Sequence, residues 1–296
     1  MTDLDFGFTL YPTARGEGRS VETLMDYNRQ CLRLLPPRIT TVWVEDHLQW
    51  GDLPLLECVT TVSFLAGEFP SLRFGTLVLG QSYRNPALTA KMAANLQYIT
   101  GGRFILGYGA GWKEDEYHGY GYPYPPAKVR IAQMDEAIQV IRALWNDSPA
   151  TFKGEYYQIE NAYCAPRPSS PIPLMIGGGG EQLVLRSVAR YADWWNYNFC
   201  TADVYAQKLA ALRRHCEAIG RDPASIRLTY YGILSVPKDL SKVTQSSSLH
   251  VIGGTPQQVI DELSDFIKLG ISHMIFRFSD IESLERFSSE VLPHLP

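Results

Sequence analysis

The feature that most constrains this chain is an alternation that runs from one end to the other. Short runs rich in β-branched and aromatic residues are each followed by a longer stretch with helical spacing. The runs fall at 6–11, 41–45, 73–79, 104–108, 174–176, 194–198, 227–234 and 273–278. Eight β-then-α units are the number that closes a barrel, so the expected fold class is α/β, a TIM (β/α)8 barrel, with all 296 residues in one domain. Helix punctuation agrees with this reading. Ser20 is the expected N-cap of the first helix, whose apolar face takes in Val21, Leu24, Met25, Cys31, Leu32 and Leu35. Asn85-Pro86 opens another, closed by Gly101, and Thr255-Pro256 with Gln258 spells a capping box closed by Gly270.

Two strands end in glycine. One is Phe104 to Tyr108, which runs into Gly107, Gly109 and Gly111, and the other is Leu174-Met175-Ile176, which runs into Gly177 to Gly180. Glycine allows close approach of the backbone to a ligand, so these ends predict peptide N–H groups facing a flat or anionic group at the C-terminal rim. A helix expected from Glu181 would add its free N–H groups and dipole, which suit a phosphate. The Gly107 to Gly111 run is not a dinucleotide fingerprint, because Trp112 stands where the third glycine belongs.

Other rim candidates are Asp46-His47 after the second strand and Thr76-Leu77-Val78 with Gly80 at the third. A histidine there can move a proton and a carboxylate can orient a ring donor. Both can reach one ligand only if the strand ends or bulges at that point, since neighbours on a strand face opposite ways. A lid loop is expected near 112–126. Its Trp112, Tyr117, Tyr120, Tyr122 and Tyr124, with Trp194, Trp195 and Tyr197, are candidates for an apolar pocket, Trp194 and Trp195 being the better core residues. A hairpin is expected around 152–157, and a polar, flexible insertion near 237–250.

Composition excludes several classes. A net charge of −4 offers no basic face for nucleic acid. The 5 cysteines are scattered, without Cys-x-x-Cys and without clustered histidines, which argues for reduced thiols in the cytoplasm and against any metal site. No segment has the length of a membrane span, and the first residues lack a signal-peptide pattern.

Taken in order, Val44-Glu45-Asp46-His47-Leu48, Tyr83-Arg84-Asn85-Pro86-Ala87, Gly102 to Trp112, Lys153-Gly154-Glu155-Tyr156-Tyr157 and Pro173 to Gly179 resemble the luciferase-like monooxygenase family, and within it the branch that uses the deazaflavin coenzyme F420. The resemblance implies a barrel with luciferase-type insertions, a homodimer, and a cofactor ring across the C-terminal rim. It further implies that Asp46 contacts the ring, that Leu77 and Val78 back it through a cis peptide, that Gly109, Ala110, Gly111 and Asp115 line it, and that Gly177, Gly178 and Gly179 receive the phosphate. The implied activity is hydride transfer between F420 and a small-molecule substrate, with His47 and Asp46 as the catalytic candidates. The alternative is an FMN-dependent monooxygenase served by a separate cofactor-reducing enzyme. Departures from the family pattern count against two activities. Asp46-His47 replaces the paired histidines of light-emitting members, and Trp112 replaces the glutamate of sugar-phosphate dehydrogenases. A hydrolase using Glu45, Asp46 or Asp280 and a non-catalytic cofactor binder are the rival classes.

Overall fold

The computed structural model describes residues 4–14 and 20–296. Its strands are β1 (Asp5–Thr9), β2 (Ile39–Val44), β3 (Arg73–Thr76), β4 (Leu79–Gly80), β5 (Phe104–Gly109), β6 (Ala150–Lys153), β7 (Gln158–Ala162), β8 (Leu174–Gly177), β9 (Trp194–Asn198), β10 (Arg227–Ser235), β11 (Val251–Gly253) and β12 (His273–Phe278). Parallel pairing runs β1, β2, β3, β5, β8, β9, β10, β12, and β12 returns to β1, so the sheet closes on itself as a TIM barrel. All eight expected strands are present. The third is interrupted at a cis peptide between Leu77 and Val78, leaving β3 and the two-residue β4 where one strand over 73–79 was expected. Strand β11 was not foreseen; it pairs with the end of β10 and ties down the segment after residue 237. Strands β6 and β7 form a separate antiparallel hairpin, as the sequence suggested.

The helices are α1 (Leu24–Arg33), α2 (Cys58–Glu68), α3 (Pro86–Ile99), α4 (Glu114–Gly119), α5 (Ala127–Asn146), α6 (Val184–Tyr191), α7 (Ala202–Glu217), α8 (Pro256–Lys268) and α9 (Ile281–Arg286). Asn85 caps α3 through its side chain, and Thr255 with Gln258 makes both bonds of a capping box on α8. The expectation for α1 is corrected. Ser20 and Thr23 bond each other instead, the helix starts at Leu24, and Val21 lies outside it and is exposed. Helix α6 likewise starts at Val184, because a turn over 181–183 intervenes after the glycines.

Inward positions alternate along each strand, and one side chain dominates the barrel's middle. Trp43 on β2 is fully buried, and its indole occupies the space that a Cβ would need on either side. A Cβ at Gly7 on β1 would lie 2.5 Å from the indole nitrogen, and one at Gly75 on β3 would lie 2.4 Å from the ring. Around it pack Leu77, Ile105, Met175, Trp194, Tyr231 and Ile275, a layer across the barrel with the rim above it. Below, at the strands' N-terminal ends, His273 Nδ1 donates to Asp5 Oδ1 (2.5 Å), and Arg227 pairs with the same carboxylate (2.6 Å). Helices cover the outside through a second apolar layer. No helix among the described residues is long and apolar enough to cross a membrane.

Candidate active site

The C-terminal ends of the strands enclose a cavity of about 1140 Å³. Asp46, His47, Leu77, Val78, Gly109, Ala110, Gly111, Gly177 and Gly178 all line it, so residues far apart in sequence meet there. Asp46 and His47 share it because β2 stops at Val44, which frees both from strand alternation.

Glycine serves this rim differently from the expectation. A Cβ at Gly109 would sit 2.7 Å from Val78 Cγ2 and one at Gly177 3.0 Å from Val78 Cγ1, so the two glycines admit Val78 between β5 and β8. At Gly107 the space is filled by the Thr76 carbonyl (1.9 Å), and at Gly111 by the Tyr117 hydroxyl (1.8 Å). Gly107 therefore faces protein rather than ligand. Gly178 donates its N–H to Asn196 O (3.0 Å), which removes that amide from any anion, while Gly179 and Gly180 donate to no protein acceptor among the described residues. Gly179 lies beside the Tyr197 ring, outside the cavity lining. Asp115 is also outside it, half-exposed and paired with Lys113.

Three residues outside the expected site, Arg84, Glu116 and Arg277, organise it. Arg84 grips Asp46 with both guanidinium arms (2.8 Å each), and Gly80 N–H donates to the same carboxylate (2.8 Å). Burial would lower the Arg84 pKa, but Asp46 and Glu57 hold it above its ordinary value. Glu116, only 1% exposed, accepts from His47 Nδ1 (2.9 Å), Leu48 N–H (3.0 Å), Gln49 N–H (3.3 Å) and Tyr83 OH (2.7 Å). Burial alone would raise this carboxyl, but the His47 and Tyr83 bonds hold it below the ordinary carboxylate range. An ionised carboxylate can only accept, so Nδ1 of His47 carries a proton and Nε2 is left without a partner among the described residues. Glu45 accepts from Tyr231 OH (3.0 Å) and pairs with Arg277, whose charge is held by that carboxylate against a strong burial penalty.

Of the aromatic residues proposed for a pocket, Trp112 alone lines the cavity. Tyr117 and Tyr122 pack on Tyr83 and Tyr124 packs on Tyr117, a wall behind the cavity, Tyr120 OH ties to Leu48 O, and Trp194, Trp195 and Tyr197 belong to the barrel and its surroundings. The lid segment is partly helical, since α4 lies inside it. Trp50 and Phe199 join Trp112 in the lining, as do Thr244, Gln245, Ser246 and Leu249 from the polar insertion. The carboxylates offered for hydrolysis are all engaged: Glu45 with Arg277, Asp46 with Arg84, and Asp280 as the N-cap of α9. Among the described residues no group of three or more His, Cys, Asp or Glu side chains could hold a metal ion.

Comparison with known proteins gives the chain its family. The family model described as luciferase-like monooxygenase matches residues 39–253. An F420-dependent glucose-6-phosphate dehydrogenase of Kineococcus radiotolerans is 28% identical over 87% of this chain and 89% of its own length. The chain's fold is similar to that of an F420-dependent secondary alcohol dehydrogenase (TM-score 0.85, 18% identity, 99% of each chain). It is also similar to the coenzyme F420 dependent tetrahydromethanopterin reductase from Methanopyrus kandleri (TM-score 0.83, 17% identity, 99% of this chain and 100% of that one).

Proposed function

We propose that this chain, which belongs to the luciferase-like monooxygenase family, is an F420-dependent oxidoreductase. The observation that carries the reading is the rim where β5 and β8 both end in glycine around Val78, beside an Asp46 fixed by Arg84. Those residues fit a flat ring with a charged arm, because Gly109 and Gly177 let Val78 sit between β5 and β8 as an apolar backing and the amides of Gly179 and Gly180 remain available to a phosphate. Asp46, Leu77, Val78, Gly109, Ala110 and Gly111 hold the ring, and the glycine turn after β8 holds the phosphate through the amides of Gly179 and Gly180, the Gly178 amide being taken by Asn196. When bound, the deazaflavin supplies a carbon that accepts or donates hydride. His47 lines the cavity and supplies the accompanying proton traffic at Nε2, the nitrogen left over once Nδ1 is bonded to Glu116. Trp112, Trp50 and Leu249 narrow the mouth against water.

FMN is the alternative cofactor, with a separate enzyme to reduce it. The relatives described as F420-dependent dehydrogenases favour the deazaflavin. Titration of the purified protein with F420 and with FMN, followed by cofactor fluorescence, separates the two; tighter binding of FMN overturns the assignment. A cytoplasmic setting suits the five cysteines, all buried and none in a disulfide. A homodimer suits α3, which exposes Leu88 and Ile99 three turns apart on one face, with Phe64 exposed on α2.

A further inference from the structure

We propose that the cavity takes an uncharged substrate bearing a flat apolar ring, seated in the corner made by Trp50 and Trp112. The inference rests on the oxidoreductase reading above and adds the substrate class to it.

Two independent observations support it. The first is charge. Every ionised side chain in the cavity lining of the described residues is already engaged within the protein: Asp46 with Arg84, Glu45 with Arg277, Lys113 with Asp115, and Glu116 with the donors of His47, Tyr83 and two backbone amides. Arg84 also serves Glu57, so the wall's balance leans negative and no lining cation is spare. A phosphate or carboxylate entering there would have to shed water without gaining a counter-ion, which is costly. The second is shape. Trp112 is 64% exposed and Trp50 39% exposed, although the chain buries most of its other large aromatics. Their rings are 6.3 Å apart at 65°, and both stand edge-on to His47, at centroid distances of 5.1 Å for Trp50 and 5.8 Å for Trp112. A ring stacked on one indole therefore offers its edge to the other, which is the favourable geometry for aromatic contact. The loop is anchored while the indole stays free, since Tyr124 OH donates to the Trp112 carbonyl (3.0 Å).

The reaction balances on these groups. In the oxidative direction, with the deazaflavin bound as hydride acceptor, a carbinol carbon would lose its hydride, the hydroxyl proton would pass to His47 Nε2, and a ketone would remain. The reverse direction returns both.

The test uses F420-loaded protein and ligands that differ in one property at a time. These are 1-phenylethanol with acetophenone, mandelate as the same ring with a carboxylate, and glucose 6-phosphate. Binding is read by indole fluorescence and hydride transfer by F420 absorbance. The expected result is binding of the phenyl alcohol and ketone at least about tenfold tighter than mandelate or glucose 6-phosphate. Trp112→Ala and Trp50→Ala should each weaken the phenyl ligands several-fold, and F420 affinity measured in the same variants tells a substrate effect from a folding defect. Equal or tighter binding of either anion, no binding of the phenyl pair, or indifference to Trp112→Ala overturns the proposal while leaving the cofactor reading intact. Failure to bind F420 overturns both.

Discussion

The bond from His47 Nδ1 to Glu116 Oε1 decides which imidazole nitrogen can handle a substrate proton. Replacing the carboxylate by an amide keeps the side-chain shape but removes the charge that fixes the tautomer. Glu116→Gln is expected to lower kcat for hydride transfer by on the order of tenfold or more while F420 affinity holds, measured in steady-state and binding assays on one preparation. An equal loss in both would mean that the variant disturbs the whole rim. His47 and Asp46 were legible in the sequence as a polar pair closing an apolar strand. Glu116 was not, because it lies 69 residues further on, in a stretch whose glycines and tyrosines read as loop but which folds into the short α4. Arg84 stood in a quoted motif, yet only the fold shows that it grips Asp46. The glycines were found for an incomplete reason, since at Gly107 and Gly111 the space belongs to Thr76 and Tyr117.

Elements were more legible than side chains, because hydrophobic period and capping chemistry are local. Thr255→Ala removes one half of the capping box on α8 and is expected to cost about 1 kcal/mol, read as a lower urea midpoint at unchanged slope. The α1 start was misjudged because Ser20 satisfies Thr23 rather than the helix, a choice between two equally polar neighbours. What no local signal carries is the fit between strands. Nothing in the runs 6–11 and 73–79 marks Gly7 or Gly75, and only closure of the barrel brings Trp43 between them. Gly75→Ala would press a methyl group into the buried indole, and about 1–3 kcal/mol of destabilisation by urea unfolding is expected. A neutral result would show that the Trp43 ring can move.

At the scale of the whole molecule, eight βα units were enough to specify the barrel, and the pH response follows from its lower end. Burial lowers the His273 pKa, with Arg227 and Arg73 adding to the effect and Asp5 opposing it. The unfolded chain therefore binds the extra proton first. Stability from this site is fully present above the unfolded value of 6.5 and falls as pH drops below it. Asp5 is held below its ordinary 3.8, despite burial, by His273 and Arg227, so it adds a further loss only in stronger acid. Urea midpoints should decline between pH 7.5 and 5.5, and His273→Asn should flatten that decline; an unchanged slope would place the proton uptake elsewhere. Above this lower end, the layer around Trp43 gives the barrel a floor. The cavity is therefore blind at its inner end, and anything that enters it has to leave by the same mouth.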